Sequence, residues 1–141
     1  MSTDPALDVG ALLERAARGW VRALERWLDA AGLGDAAPAR SVLVALVELD
    51  GIRMSDLARR LSLSNSSITA AARSLAARGL VERRDDPSDG RAARLFLTDD
   101  GRVRADAIAE RIDEFEARVL ARLPGESTSF RAALRALAGI R

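Results

Sequence analysis

The sequence predicts a mainly α-helical protein with one small β-hairpin set into its second half. Three observations predict it. Apolar residues recur at spacings of three and four along most of the chain. The period changes only around residues 80–97, where the turn formers Asp85-Asp86-Pro87-Ser88-Asp89-Gly90 separate two short stretches. The 141 residues, 48% hydrophobic and 30% charged, suffice for one domain with a real core and are too apolar for a disordered chain.

Each element can be justified in order. Residues 1–10, with Pro5 and Gly10, read as a loose N-terminus. From Ala11 a first helix carries Leu13, Ala17, Trp20, Leu24, Trp27 and Ala31 on one stripe, with Arg18, Arg22, Arg26 and Asp29 off it. Gly32 and Gly34 stop it. Asp35 or a neighbour can cap a second helix at about 36–49, with Pro38 tolerated in its first turn. Val42, Leu43, Leu46, Val47 and Leu49 place apolar groups nearly all round it, as expected of a central helix, and Asp50-Gly51 ends it.

A short helix at 55–61, capped by Ser55, turns Leu57, Ala58 and Leu61 inward. After the turn Ser62-Leu63-Ser64, a further helix runs from Asn65 or Ser66 to Arg78 and stops at Gly79. Two helices joined by so short a turn make a helix-turn-helix candidate. Strands at 80–84 and 93–97 form the hairpin, with a polar, mobile tip. Thr98 caps a long helix with Asp99 and Asp100 in its first turn and the stripe Ile108, Ile112, Phe115, Val119 and Leu123. Pro124-Gly125 breaks it, and a last helix carries Phe130, Leu134, Leu137 and Ile140.

The inventory excludes a good deal of chemistry. All 22 basic residues are Arg, and Lys, His, Cys and Tyr are absent. There is no disulfide framework, thiol nucleophile or thiol redox sensor. The usual ligands for zinc and other transition metals are missing, so no metal site and no cofactor are expected. No Ser-His-Asp relay, catalytic Lys or Schiff base is open to the chain. Carboxylate-only catalysis passes this filter, but no paired carboxylates sit in a recognisable catalytic context. With no apolar run of about 20 residues and no leader-like opening, the chain reads as a cytoplasmic protein without a membrane partner.

The net charge of +1 hides an uneven distribution. Residues 1–52 carry −3, residues 53–104 carry +4 and residues 105–141 are neutral. Residues 53–84 alone hold seven Arg against two acids. A basic centre between acidic or neutral flanks suits a polyanion, although a solvated helical face has the same composition.

The motif under that charge decides between them. On the second helix of the candidate motif, Ile68, Ala71 or Ala72, and Leu75 point inward, and Ser66, Thr69, Ala70, Arg73 and Ala77 fall opposite. Small exposed residues let a helix sit deep in a major groove. Ser64, Asn65, Ser66 and Ser67 at its start offer hydroxyls and amides to phosphate, and at least one of Asn65, Ser66 and Ser67 is expected to cap the helix. Arg73 is long enough for a guanine edge or a phosphate. Around the hairpin, Arg83, Arg84, Arg91 and Arg94 supply further contacts. Asp89 is placed to orient the Arg91 guanidinium toward a narrow minor groove, the alternative being an ordinary surface ion pair.

The run Leu57-Ala58-Arg59-Arg60-Leu61, then Leu63-Ser64-Asn65-Ser66-Ser67-Ile68-Thr69 and Leu75-Ala76-Ala77-Arg78-Gly79-Leu80-Val81, resembles the winged helix-turn-helix of the MarR-type transcription regulators. Glu82-Arg83-Arg84-Asp85-Asp86-Pro87-Ser88-Asp89-Gly90-Arg91, with Leu97-Thr98-Asp99-Asp100-Gly101, is similar to that family's wing and the start of its long helix. The resemblance is continuous over about 54–101. It implies a winged helix-turn-helix at 36–98, flanked within a single 1–141 unit by dimerisation helices at 11–33 and 99–141. It also implies a homodimer presenting two winged domains to a pseudo-palindromic duplex DNA operator, as a repressor of nearby genes. The stripes at 13–31, 108–123 and 130–140 suit that dimer, and an intramolecular helical core is the alternative. Ala70, Arg73 and Ser74 depart from the residues many relatives carry there, so no operator sequence is read.

The inventory also narrows how such a regulator is switched. Thiol oxidation and zinc sensing are closed to it, which leaves a small aromatic or apolar effector, or ligand-independent repression. Trp20 and Trp27, seven residues apart on one face, either line an effector cavity or serve as core and dimer contacts. The competing function is a winged-helix protein–protein interaction module without its own operator.

Overall fold

A computed structural model of the chain describes residues 8–139, among which lie six helices and one two-stranded antiparallel sheet. Most of the expected loose N-terminus and the Ile140 end of the last stripe fall outside the described residues. The mainly helical architecture with a single hairpin is the one the periodicity predicts.

Helix α1 (Val9–Asp29) begins two residues before Ala11 because Asp8 caps it, its carboxylate accepting the Ala11 N–H at 2.8 Å. Only its second half reaches the core, through Leu24 and Leu28, while Trp20 and Trp27 are half-buried and Leu13 is exposed. Helix α2 (Ala37–Leu49) is the central helix, burying Ala39, Arg40, Val42, Leu43 and Leu46. Its N-cap is Ala36, which makes no side-chain bond. Asp35 does not cap it; its carboxylate turns inward to accept from Arg78 at 2.5 Å and Arg104 at 2.8 Å.

Helix α3 (Met54–Leu61) starts at Met54 with Arg53 as N-cap, so Ser55 is not the cap. The reason lies in the sheet. Leu95 donates its N–H to the Ile52 carbonyl at 3.1 Å and Arg53 bridges Arg94, which holds the chain extended up to Arg53. Ser62, left-handed at φ 52°, ends α3. Helix α4 (Asn65–Ala77) packs Ile68, Ala71, Ala72 and Leu75 against α2 and α3 and stops at Gly79, whose φ of +69° suits glycine.

Strands β1 (Val81–Asp86) and β2 (Asp89–Leu97) are longer than the expected 80–84 and 93–97, and only Pro87 and Ser88 separate them. The acids that read as loop belong to the strands, with a register irregularity between Asp85 and Asp86. Helix α5 (Asp99–Leu120) is capped by Thr98, whose hydroxyl accepts the Gly101 N–H at 3.0 Å and donates to the Gly79 carbonyl at 2.6 Å. It buries Ala105, Ile108 and Phe115 against α1 and α2. Helix α6 (Ser127–Ala138) buries none of its residues, and Phe130, Leu134 and Leu137 lie open. No helix among the described residues is long and apolar enough to cross a membrane.

Candidate nucleic-acid interface

Helix α4 stands out from the body on one face. Its buried residues repeat at helical spacing, which leaves Asn65, Ser66, Thr69, Ala70, Arg73, Ser74, Ala76 and Ala77 exposed together. At its start, the Ser64 hydroxyl accepts the Ser67 N–H at 3.1 Å and meets the Ser66 and Ser67 hydroxyls at 3.0 and 2.9 Å. Ser64 is therefore the cap, rather than Asn65, Ser66 or Ser67, because the helix already starts at Asn65; the remaining hydroxyls form a polar collar around the positive end of the helix. Thr69 donates its hydroxyl to the Asn65 carbonyl at 2.8 Å. Arg73 is exposed and makes no ion pair or hydrogen bond among the described residues.

The wing divides its arginines into two kinds. Arg83 and Arg91 are exposed and unpaired among the described residues. Arg84 lies 2.8 Å from Glu82 and 4.3 Å over the Phe96 ring, which holds it along the sheet. That pairing raises the Arg84 pKa and lowers that of Glu82. Arg94 is half-buried, its Nε donating to Asp86 at 2.7 Å and its Nη1 to the Gly51 carbonyl at 2.7 Å. Asp89 does not orient the Arg91 guanidinium: its carboxylate accepts the Arg91 backbone N–H at 3.0 Å, which shapes the turn and leaves the side chain to project.

Asp86, which the sequence places in a polar turn, is a buried structural residue of the wing. It is 2% exposed and sits between Arg53 and Arg94, each donating Nε at 2.7 Å. Ser88 adds its N–H at 2.8 Å and its hydroxyl at 2.6 Å, and Arg53 also reaches the Ser88 hydroxyl at 3.0 Å. The Ser88 hydroxyl, then Arg53, hold the Asp86 carboxyl well below the usual carboxylate range, and Asp86 raises the Arg53 pKa in turn. This cluster ties the wing to the entry of α3. The Asp-Pro-Ser string signals a turn with its own side-chain acceptor. Nothing local in the sequence signals the two distant arginines.

Asp35 performs a similar tie at the C-terminal end of α4. It joins Arg78, just beyond α4, to Arg104 on α5, so the end of α4 is anchored to the long helix.

A third region lies away from α4. Trp20 meets Phe115 edge-on at 4.9 Å. Trp27 donates Nε1–H to the Arg111 carbonyl at 3.0 Å, and the Arg111 and Arg118 guanidinium carbons lie 3.9 and 4.7 Å from its ring centroid. A cavity of about 490 Å³ between α1, α5 and α6 is lined by Trp20, Leu13, Leu120, Phe130 and Leu134, with Glu116 and Arg131 paired at 2.7 Å beside it. Trp20 thus serves both core and cavity; Trp27 belongs to the α1–α5 contact. Among the described residues no group of acids is placed to hold a metal ion.

The family model for the MarR family matches residues 37–93, from the first residue of α2 through the helix-turn-helix to the middle of β2. Over these residues the chain is similar to the MarR family. A MarR-family regulator from Rhodococcus sp. RHA1 superposes with a TM-score of 0.83 at 28% identity, covering 98% of this chain and 97% of that one. CouR from Rhodococcus jostii RHA1, solved bound to p-coumaroyl-CoA, superposes with a TM-score of 0.82 at 29% identity over 99% and 98% of the two chains. The uncharacterized HTH-type transcriptional regulator YdgJ of Bacillus subtilis (strain 168) is 31% identical over 85 residues, 60% of this chain and 52% of that protein. The chain therefore spans about half the length of that curated relative. The MarR-family match covers α4 and most of the wing, the elements that carry the exposed arginines.

Proposed function

We propose that the chain is a homodimeric, sequence-specific transcriptional regulator that binds duplex DNA and represses nearby genes until a small aromatic or apolar ligand releases it. The observation that carries the reading is the exposed face of α4. It is short-chained and polar, its one long donor Arg73 is uncommitted, and the similarly free Arg83 and Arg91 stand on the adjoining wing. A merely solvated helix has no need of so low a profile, whereas a helix entering a major groove does. In this reading residues 36–98 form the DNA-binding region. Ser64, Asn65, Ser66 and Ser67 approach phosphate, Thr69, Ala70 and Arg73 face the bases, and Arg83 and Arg91 grip the backbone or minor groove. Arg84, Arg94 and Asp89 act by shaping the wing.

The dimer is supported by surface left over. Helix α6 leaves Phe130, Leu134 and Leu137 open, and α1 does the same with Val9, Leu12 and Leu13. Contiguous apolar surface of this kind marks an interface, and the helices at 11–33 and 99–141 supply it. The cavity beside Trp20 supports the effector, and CouR, a structural relative, was solved with p-coumaroyl-CoA bound.

Selection of bound duplexes from a random pool tests this. A pseudo-palindromic consensus with half-sites about one helical turn apart is the expected outcome. Recovery of unrelated sequences at no better than background would instead favour a winged-helix interaction module with no operator.

A further inference from the structure

The hydrogen bonds of α4 determine what its exposed face can say to a base. The hydroxyls of the first turn are engaged with one another around Ser64. One turn later, Thr69 has a single hydroxyl proton, and it goes to the Asn65 carbonyl. Thr69 therefore has no donor left for a base edge, and the outward part of the side chain is its methyl group. Ala70, also exposed, adds a second methyl beside it. Arg73 follows at three and four residues from these two, which puts all three on one patch within a single turn.

In the major groove the one base that offers a methyl is thymine, and Ala and Thr methyls are its usual partners. A guanidinium with no competing carboxylate matches the two acceptors of guanine in the same groove. One helical turn rises about 5.4 Å, against about 3.4 Å per base pair, so the two contacts fall within about two base pairs of each other. We infer that the recognition helix reads each half-site through thymine C5-methyl groups packed on Thr69 and Ala70, within two base pairs of a guanine held by Arg73. The inference rests on the DNA-binding reading proposed above and assigns to Thr69 and Ala70 the base class they select.

The chemistry permits a test that removes one methyl at a time from either side. The probe is the duplex recovered by selection, with single thymines replaced by deoxyuridine, and the proteins are the full chain and two variants of Thr69. Thr69→Ser keeps the hydroxyl bonded to the backbone and deletes the methyl; Thr69→Val deletes the hydroxyl and keeps methyl bulk. For the unaltered chain, one thymine-to-deoxyuridine replacement in each half-site removes two methyls per dimer and weakens binding about fifteenfold, about fourfold for each buried methyl. Thr69→Ser weakens binding to the thymine duplex by a similar factor and is then less sensitive to the replacement, with only the Ala70 methyl contact remaining. Thr69→Val binds within about twofold of the unaltered chain and stays sensitive, so a hydroxyl contact to an adenine or cytosine amino group is excluded by the same experiment.

Equal sensitivity of the unaltered chain and Thr69→Ser to deoxyuridine overturns the inference, because the methyl then acts through duplex shape rather than through Thr69. So does a selected site with no thymine within two base pairs of a guanine. Failure of the unaltered chain to bind any duplex is a separate result, which overturns the DNA-binding reading itself. Matching circular dichroism spectra for the three proteins show that the exposed substitutions leave the fold intact.

Discussion

Replacing Asp35 by alanine removes the carboxylate that joins the end of α4 to α5. The Asp35 side chain is 1% exposed and accepts from Arg78 and Arg104 at 2.5 and 2.8 Å. The substitution deletes two charge-assisted hydrogen bonds and leaves two guanidinium groups facing each other without a counter-ion. Breaking a buried ion pair on one side costs about 3–5 kcal/mol. Here the cations are partly wet, Arg78 at 42% and Arg104 at 26% of side-chain exposure, and can recover some hydration by turning outward. The lower end of that range applies, so Asp35→Ala is expected to destabilise the chain by about 3 kcal/mol. Asp35→Asn, which keeps the shape and one acceptor oxygen, should lose about 2 kcal/mol. Urea unfolding at a fixed protein concentration measures both, with the slope checked for constancy so that the midpoint alone carries the change. A loss below about 0.5 kcal/mol for Asp35→Ala, the range of an unremarkable surface substitution, would refute the argument that this carboxylate is a structural tie.

Other outcomes follow from the same geometry. A Cβ on Gly101 would overlap the Leu80 carbonyl oxygen, a backbone atom just before β1 that also accepts the Thr98 N–H, so Gly101→Ala should cost about 3 kcal/mol and show as a lowered melting temperature. Because Asp86 has its folded pKa depressed, its contribution is complete above the unfolded value of about 3.9 and fades as pH falls through the folded value. The pH dependence of stability below that point should therefore be shallower in Asp86→Asn than in the unaltered chain, and identical slopes would contradict the assignment. Leu134→Asp places a charge on the open face of α6 twice per dimer, and sedimentation should show association weakened by about a hundredfold with helix content kept.

Much of this architecture is written locally. The Thr98 cap, the Gly79 stop and the inward set Ile68, Ala71, Ala72 and Leu75 are all short-range signals, and each stands where the sequence puts it. What the sequence hides is long-range. Asp35 and Asp86 read as a cap and a loop acid because solvated carboxylates are the norm at such positions. Their partners lie 43 and 69 residues away for Asp35, and 33 residues away for Arg53 with Asp86. The same cause displaces the α3 cap: pairing of Ile52 and Arg53 with β2 holds extended a segment whose composition favours a cap at Ser55. The acids at 85, 86 and 89 have poor strand propensity, and pairing to the opposite strand overrides it. The site divides in the same way. The exposed face of α4 follows from periodicity, but the distinction between the free Arg91 and the committed Arg94 depends on Asp86 and the Gly51 carbonyl.

The salt dependence of duplex binding tests the central claim most directly. A dimer that engages DNA through Arg83 and Arg91 of each protomer neutralises at least four phosphates. At about −0.9 per phosphate, log affinity should fall against log salt with a slope of about −3.6 or steeper. Arg91→Ala should flatten that slope without unfolding the chain or separating the dimer. Affinity that is indifferent to salt, or no binding of the selected duplex at low ionic strength, would contradict the account.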